Sequence, residues 1–106
     1  MNYEITPLEL RELQETSEQL TILDVREPAE RETASIPGSL HIPMAEVPAR
    51  LQELDPEQHI IVYCHHGVRS LSVTDWLRKQ GYENAQSMAG GIDRWSLEID
   101  PKTPRY

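Results

Sequence analysis

The run Cys64-His65-His66-Gly67-Val68-Arg69-Ser70 gathers a thiol, two imidazoles, a glycine, a guanidinium and a hydroxyl, and it follows directly on the apolar segment Ile60-Ile61-Val62-Tyr63. Cys64 is the only cysteine in the chain. A thiol set where a buried strand ends and a helix begins lies over converging backbone N–H groups and the positive end of the helix dipole, and both favour its ionised form. That is a nucleophile's position. The segment contains no acid, so its local field suits a small anion even in a chain of net charge −8.

Such a placement needs a strand before the thiol and a helix after it. His59 to Tyr63 reads as a central parallel strand, because its apolar run is continuous rather than alternating. Beyond the loop, Val73, Trp76 and Leu77 recur at helical spacing, Arg78 and Lys79 occupy the last turn and Gly81 follows, which predicts a helix from about Arg69 to Gln80. Elsewhere short apolar runs alternate with helical patterns, the signature of an α/β layer architecture with a mostly parallel sheet. Thr6-Pro7-Leu8-Glu9 combines an N-cap, a proline at the first helical position and a capping-box glutamate, predicting a helix to about Glu15. Thr21 to Val25 is a strand ended by Arg26, Glu27 and Pro28. Ile36 to Ser39 is a turn leading to an extended Leu40 to Pro43, and Met44 to Leu54 is helical with its first turn delayed or interrupted by Pro48. Ala85 to Met88 is a short last strand, and Ala89-Gly90-Gly91 turns into a final helix anchored by Trp95. The tail to Tyr106 is extended, with Tyr106 pinned against the body.

The chain of 106 residues suits one domain, 1–106, with a core that needs no staples. One cysteine permits no internal disulfide, and no stretch has the profile of a signal peptide or a membrane span, so a reducing cytoplasm is expected. The acidic balance argues against a nucleic-acid partner, which requires clustered Lys and Arg. Open α/β sheets bind ligands beyond the carboxyl ends of their strands, where Asp24-Val25-Arg26 and Cys64 both fall. Arg26 is expected in an ion pair with Asp24 or Glu27 rather than on a substrate anion, and Asp24 as an acceptor for backbone N–H groups of a loop.

Taken in order, Asp24-Val25-Arg26-Glu27, Ser35-Ile36-Pro37-Gly38-Ser39, His41-Ile42-Pro43, Val62-Tyr63-Cys64 with its loop to Arg69-Ser70, and Ala89-Gly90-Gly91-Ile92 with Trp95 resemble the rhodanese-like sulfurtransferases of single-domain type. The resemblance covers nearly the whole chain. It implies an α/β rhodanese-like fold, a five-stranded mostly parallel sheet flanked by helices on both faces, with Cys64 as the catalytic residue. In such enzymes the thiolate takes the outer sulfur of a donor such as thiosulfate, holds it as a persulfide and yields it to a thiophilic acceptor, cyanide or a small or protein thiol, without a cofactor. The pattern departs from the family at Ala34 and Ser35, where a glycine and a histidine are frequent; the change bears on local packing rather than on activity.

The loop residues then take expected roles around the sulfur and its substrate. Gly67 lets the N–H groups from His65 to Ser70, Val68 included, turn inward as an anion nest. Arg69 meets the donor's sulfonate oxygens or braces the loop against a carbonyl, Ser70 lends its hydroxyl to the loop or the helix start, and His65 and His66 are surface histidines at the rim. The cysteine phosphatases set five residues between cysteine and arginine where this chain has His65, His66, Gly67 and Val68 alone; the tighter ring suits one sulfur atom and disfavours phosphatase or arsenate reductase chemistry. Metal binding by Cys64, His65 and His66 is not expected, because adjacent residues rarely aim at one ion. A protease would need His41 or His59 as its base, and an interaction module without catalysis would not need Cys64 inside a complete loop.

Overall fold

The structure, a computed structural model, describes residues 1–106. Strands β1 (Glu4–Ile5), β2 (Leu20–Asp24), β3 (Leu40–His41), β4 (His59–Tyr63) and β5 (Ala85–Met88) form one sheet in the order β1-β5-β4-β2-β3, with every pairing parallel. The helices are α1 (Pro7–Thr16), α2 (Pro28–Thr33), α3 (Val68–Lys79) and α4 (Gly91–Glu98). This is the α/β arrangement expected, and the central strand β4 has the bounds read from its apolar run.

That run is continuous because β4 is covered twice. Ile60, Val62 and Cys64 point into a core completed by Val47, Leu54, Val73 and Leu77. Ile61 and Tyr63 point the other way, into a core with Leu10, Ala34, Ile36, Ile92 and Trp95. A strand sandwiched between two apolar layers has no solvent face to mark with polar residues. α3 therefore lies on one side of the sheet, α1 and α4 on the other.

Local signals account for most boundaries. Thr6 Oγ1 accepts from Glu9 N at 3.1 Å and Glu9 Oε1 accepts from Thr6 N at 2.9 Å, the reciprocal cap predicted for α1. The segment after His41 departs from the expected helix: Met44–Glu46 and Pro48–Glu53 are two separate short 3₁₀ helices. Pro48 has no N–H to continue the first one, and its ring blocks the preceding turn, so the chain restarts there. Two elements had not been anticipated. β1 is two residues long, too short for periodicity, and α2 begins with Pro28 directly after the strand-ending cluster, where its six residues bury no side chain fully. No helix is long and apolar enough to cross a membrane.

Candidate active site

Cys64 stands one residue past β4, and its sulfur is enclosed, with the residue 1% exposed. Gly67 makes the enclosure possible. Its φ of +103° is a left-handed conformation open to glycine, and a Cβ there would press on Gly90 N at 3.3 Å. The chain thus doubles back so that Gly67 N donates to Sγ at 3.1 Å and Ser70 N at 3.3 Å. The expected nest reduces to these two N–H donors and one hydroxyl. Ser70, in the first turn of α3, is fully buried; the S–H of Cys64 donates to its Oγ at 3.4 Å, and that oxygen lies 2.7 Å from Ser87 Oγ on β5. When the sulfur is ionised, the hydroxyl can reverse and donate to it, giving three donors on one anion.

A second wall holds the loop from outside. Ile92 N and Asp93 N, in the first turn of α4, donate to the carbonyls of Cys64 and His65 at 2.9 and 3.2 Å. Gly91 lets this happen: its φ is +61°, and any Cβ would collide with those same carbonyls. The Ala89-Gly90-Gly91 run, legible in the sequence as a tight turn, is therefore also the surface on which the cysteine loop rests.

The structure pairs the charged residues that the sequence sets at the end of β2. Arg26 is fully buried and holds Asp24 in a two-pronged pair, Nε to Oδ1 and Nη2 to Oδ2 both at 2.8 Å, while Nη2 also donates to Ala34 O. Asp24 Oδ1 accepts from Arg26 N at 3.0 Å, and Arg31 Nη1 reaches Oδ2 at 3.3 Å. Burial opposes ionised Asp24, yet the side-chain and backbone hydrogen bonds from Arg26 outweigh it and hold the carboxyl below its usual range. This is the ion pair that the sequence reading expects, and Arg26 ties it to Ala34 O and to Tyr106.

Arg69 does not brace the loop on a carbonyl; it pairs with an acid. Its Nη1 and Nη2 donate to Glu30 Oε1 and Oε2 at 2.7 and 2.9 Å, a bidentate pair reaching across from α2. Sequence reasoning missed Glu30; the signal available was Glu27-Pro28 followed by Glu30, a helix start set beside the loop. The Arg69 guanidinium is the main cause that carries the Glu30 carboxyl down to about 2. Tyr106 closes the arrangement: its hydroxyl donates to Glu30 Oε2 at 2.6 Å and accepts from Arg26 Nη1 at 2.9 Å, and its ring stacks on His65 with centroids 3.9 Å apart. The pinned tail is thus seen, and burial pushes the Tyr106 phenol up to about 12.

The two histidines differ, correcting their common description as rim residues. His66 is exposed, but His65 is half-buried between His66 and Tyr106, with Nε2 unpartnered, and burial followed by repulsion from His66 lowers its pKa. Donor atoms of His65, His66 and Asp93 lie within 4.8 Å of one another. The imidazoles stack at 3.9 Å, so their in-plane lone pairs run side by side rather than converge, and Asp93 already holds Arg105 at 2.9 Å. His41 and His59 are committed elsewhere, to Arg26 O and Gln86 Oε1, both at 2.7 Å, and neither reaches the thiol as a base.

A cysteine at the carboxyl end of a central parallel strand, its sulfur gripped by N–H groups from a loop that opens a helix, defines an α/β protein with an enclosed thiol at the topological position where such sheets bind ligands. Residues 6–98 match the Rhodanese-like domain family, and the chain belongs to that family. It is 34% identical over 80 residues to a sulfurtransferase of Allochromatium vinosum, covering 76% of this chain and 75% of that one. It is 35% identical over 95 residues to the thiosulfate sulfurtransferase GlpE of Coxiella burnetii, 90% of this chain and 88% of that one. The structure superposes with a TM-score of 0.85 on a rhodanese-like domain protein from Staphylococcus aureus, at 28% identity and 99% coverage of each. Other relatives are longer, and the chain spans 30% of one from Arabidopsis thaliana. The two curated relatives just given, both similar to this chain in length, carry sulfur transfer in their names.

Proposed function

We propose that residues 1–106 act as one domain in which Cys64 accepts a sulfane sulfur from a donor such as thiosulfate and passes it to a thiol or to cyanide. The thiolate attacks the outer sulfur of thiosulfate, an S–S bond forms to Cys64, the donor's S–S bond breaks and sulfite leaves with its electron pair. The acceptor thiolate then attacks the same outer sulfur and Cys64 departs as thiolate. The observation that carries this reading is the grip on Sγ by Gly67 N and Ser70 N, with Ser70 Oγ beside it. These donors stabilise a thiolate or persulfide anion and offer no acidic group that would quench it. The chain has no second cysteine to resolve the persulfide internally, so the sulfur goes to an external acceptor. A lone enclosed thiol suits the reducing cytoplasm.

Intact-protein mass spectrometry after thiosulfate treatment tests it. One added sulfur atom, removed by cyanide and absent in Cys64→Ser, is the expected result. A wild-type protein that gains no cyanide-labile sulfur from thiosulfate or from a persulfide would leave the interaction-module alternative.

A further inference from the structure

We propose that Glu30 sets the donor class, masking the loop's one arginine so that Cys64 draws sulfur from hydropersulfides, R–S–SH, in preference to dianionic thiosulfate. The inference rests on the Cys64 chemistry above and concerns which donor feeds it.

A site built for a dianion keeps a cation free to meet it, and none is free here. Arg69, the only cation of the loop apart from the imidazoles, has both terminal nitrogens on Glu30. Glu30 is itself fixed, accepting from the Tyr106 hydroxyl at 2.6 Å and from Glu27 N at 3.2 Å. Arg26 and Arg31 share Asp24, and Arg105 is held by Asp93. Of the histidines, His65 is stacked between His66 and Tyr106, and His66 has its Nε2 3.9 Å from the Asp93 carboxylate. A thiosulfate ion entering beside Arg69 therefore meets the Glu30 carboxylate at the same time, and in a partly enclosed site that repulsion is weakly screened.

A hydropersulfide carries at most one charge at its sulfur. The thiolate of Cys64 attacks the terminal sulfur, an S–S bond forms to Cys64, the donor's own S–S bond breaks and R–S⁻ leaves with its electron pair; the proton stays on the transferred sulfur or moves to the leaving thiolate, and no net oxidation occurs. What flanks the loop suits a donor with a body of its own. Val68, inside the loop, is 79% exposed and Leu71, one turn into α3, is 38% exposed, an apolar edge that an inorganic ion cannot use.

Glu30→Gln in the full chain is the test, read as KM and kcat with thiosulfate and with cysteine hydropersulfide as donors, and with a peptide-borne persulfide as a third arm separating small-molecule from protein sources. Freeing Arg69 should lower the thiosulfate KM roughly tenfold, since one unit charge opposing a dianion is removed, while kcat and the hydropersulfide KM stay within about twofold. Glu30→Asp, which keeps the charge, should retain the wild-type thiosulfate KM. Glu15→Gln, an equal charge change at the exposed Arg11 pair, should move nothing. As a measurement on wild-type protein, sulfate should compete with thiosulfate no better than chloride at equal ionic strength. An unchanged thiosulfate KM in Glu30→Gln, an equal fall in Glu30→Asp, parallel losses with every donor, or effective sulfate competition in wild type would each overturn the proposal. A failure of Cys64 to take up sulfur from either donor would instead strike the reading beneath it.

Discussion

Asp24 carries its negative charge at a fully buried position and spends it on Arg26, Arg31 and a backbone N–H. An apolar pair of the same shape would cost less to bury, so the ion pair is better understood as a way to fix the end of β2 against Ala34, Arg31 and Tyr106 than as a source of stability. Removing one partner is another matter. Asp24→Ala strands the Arg26 guanidinium in the core and should destabilise the protein by about 3–5 kcal/mol, whereas Glu46→Ala, at the exposed Arg50 pair, should cost less than about 1 kcal/mol. Urea denaturation midpoints of the two variants check this, and equal shifts would show that burial does not decide the cost. The role of Asp24 and Arg26 was legible in the sequence because they are two residues apart at a strand end. Glu30 was not, since its partner Arg69 is 39 residues away and no local pattern links them.

At the scale of elements, the site depends on two helix starts facing each other across the loop. The Gly67 cap of α3 and Ser70 in its first turn each offer an N–H to the sulfur, and α4 offers Ile92 N and Asp93 N to the carbonyls of Cys64 and His65. Gly91 sits at the closest approach. Gly91→Ala should force the loop away, with a backbone strain of about 1–3 kcal/mol and a loss of sulfur uptake larger than that strain alone would produce, because the donors to Sγ are displaced. Thermal melting alongside persulfide mass spectrometry separates the two effects; a variant that is destabilised yet takes up sulfur normally would show that α4 supports the fold and not the loop geometry. α1, β4, β5 and α3 were readable because their signals are local, a capping box, an apolar run, a helical period. The interruption at Pro48 was readable too, from the proline itself, whereas α2 and the 3₁₀ form of the two short helices around Pro48 were not.

Across the whole molecule, acid groups that face arginines make stability depend on pH in a definite direction. Glu30, Asp24 and Asp93 all lie below their usual values, Glu30 at about 2. Groups with depressed pKa values contribute stability that is fully present above the unfolded carboxylate pKa of about 4 and is lost as pH falls through the folded values. Thermal midpoints should therefore begin to decline below about pH 6.5, where the unfolded imidazole takes a proton that folded His65 resists, and fall further from about pH 4 toward pH 2 as the carboxylates protonate. Glu30→Gln, lacking one such group, should start lower and fall less over that interval; a fall parallel to wild type would remove Glu30 from the linkage. The same network joins α2, α3 and the tail at Tyr106, so this titration reports on the walls of the site as well as on the fold.

The sequence by itself determined the parallel α/β layering, the thiol at the end of β4, the glycine that turns the loop and the family to which these belong, because each is written in neighbouring residues: an apolar run, a capping box, four residues between Cys64 and Arg69. Only the tertiary structure decided which charges remain free. By sequence Arg69 serves either a sulfonate or a loop carbonyl, and α2 delivers Glu30 to it instead; His65 reads as a surface residue of the rim, and Tyr106 covers it. Electrostatic character depends on distance through space, and residues far apart in the chain set it only once the fold has brought them within a few ångströms.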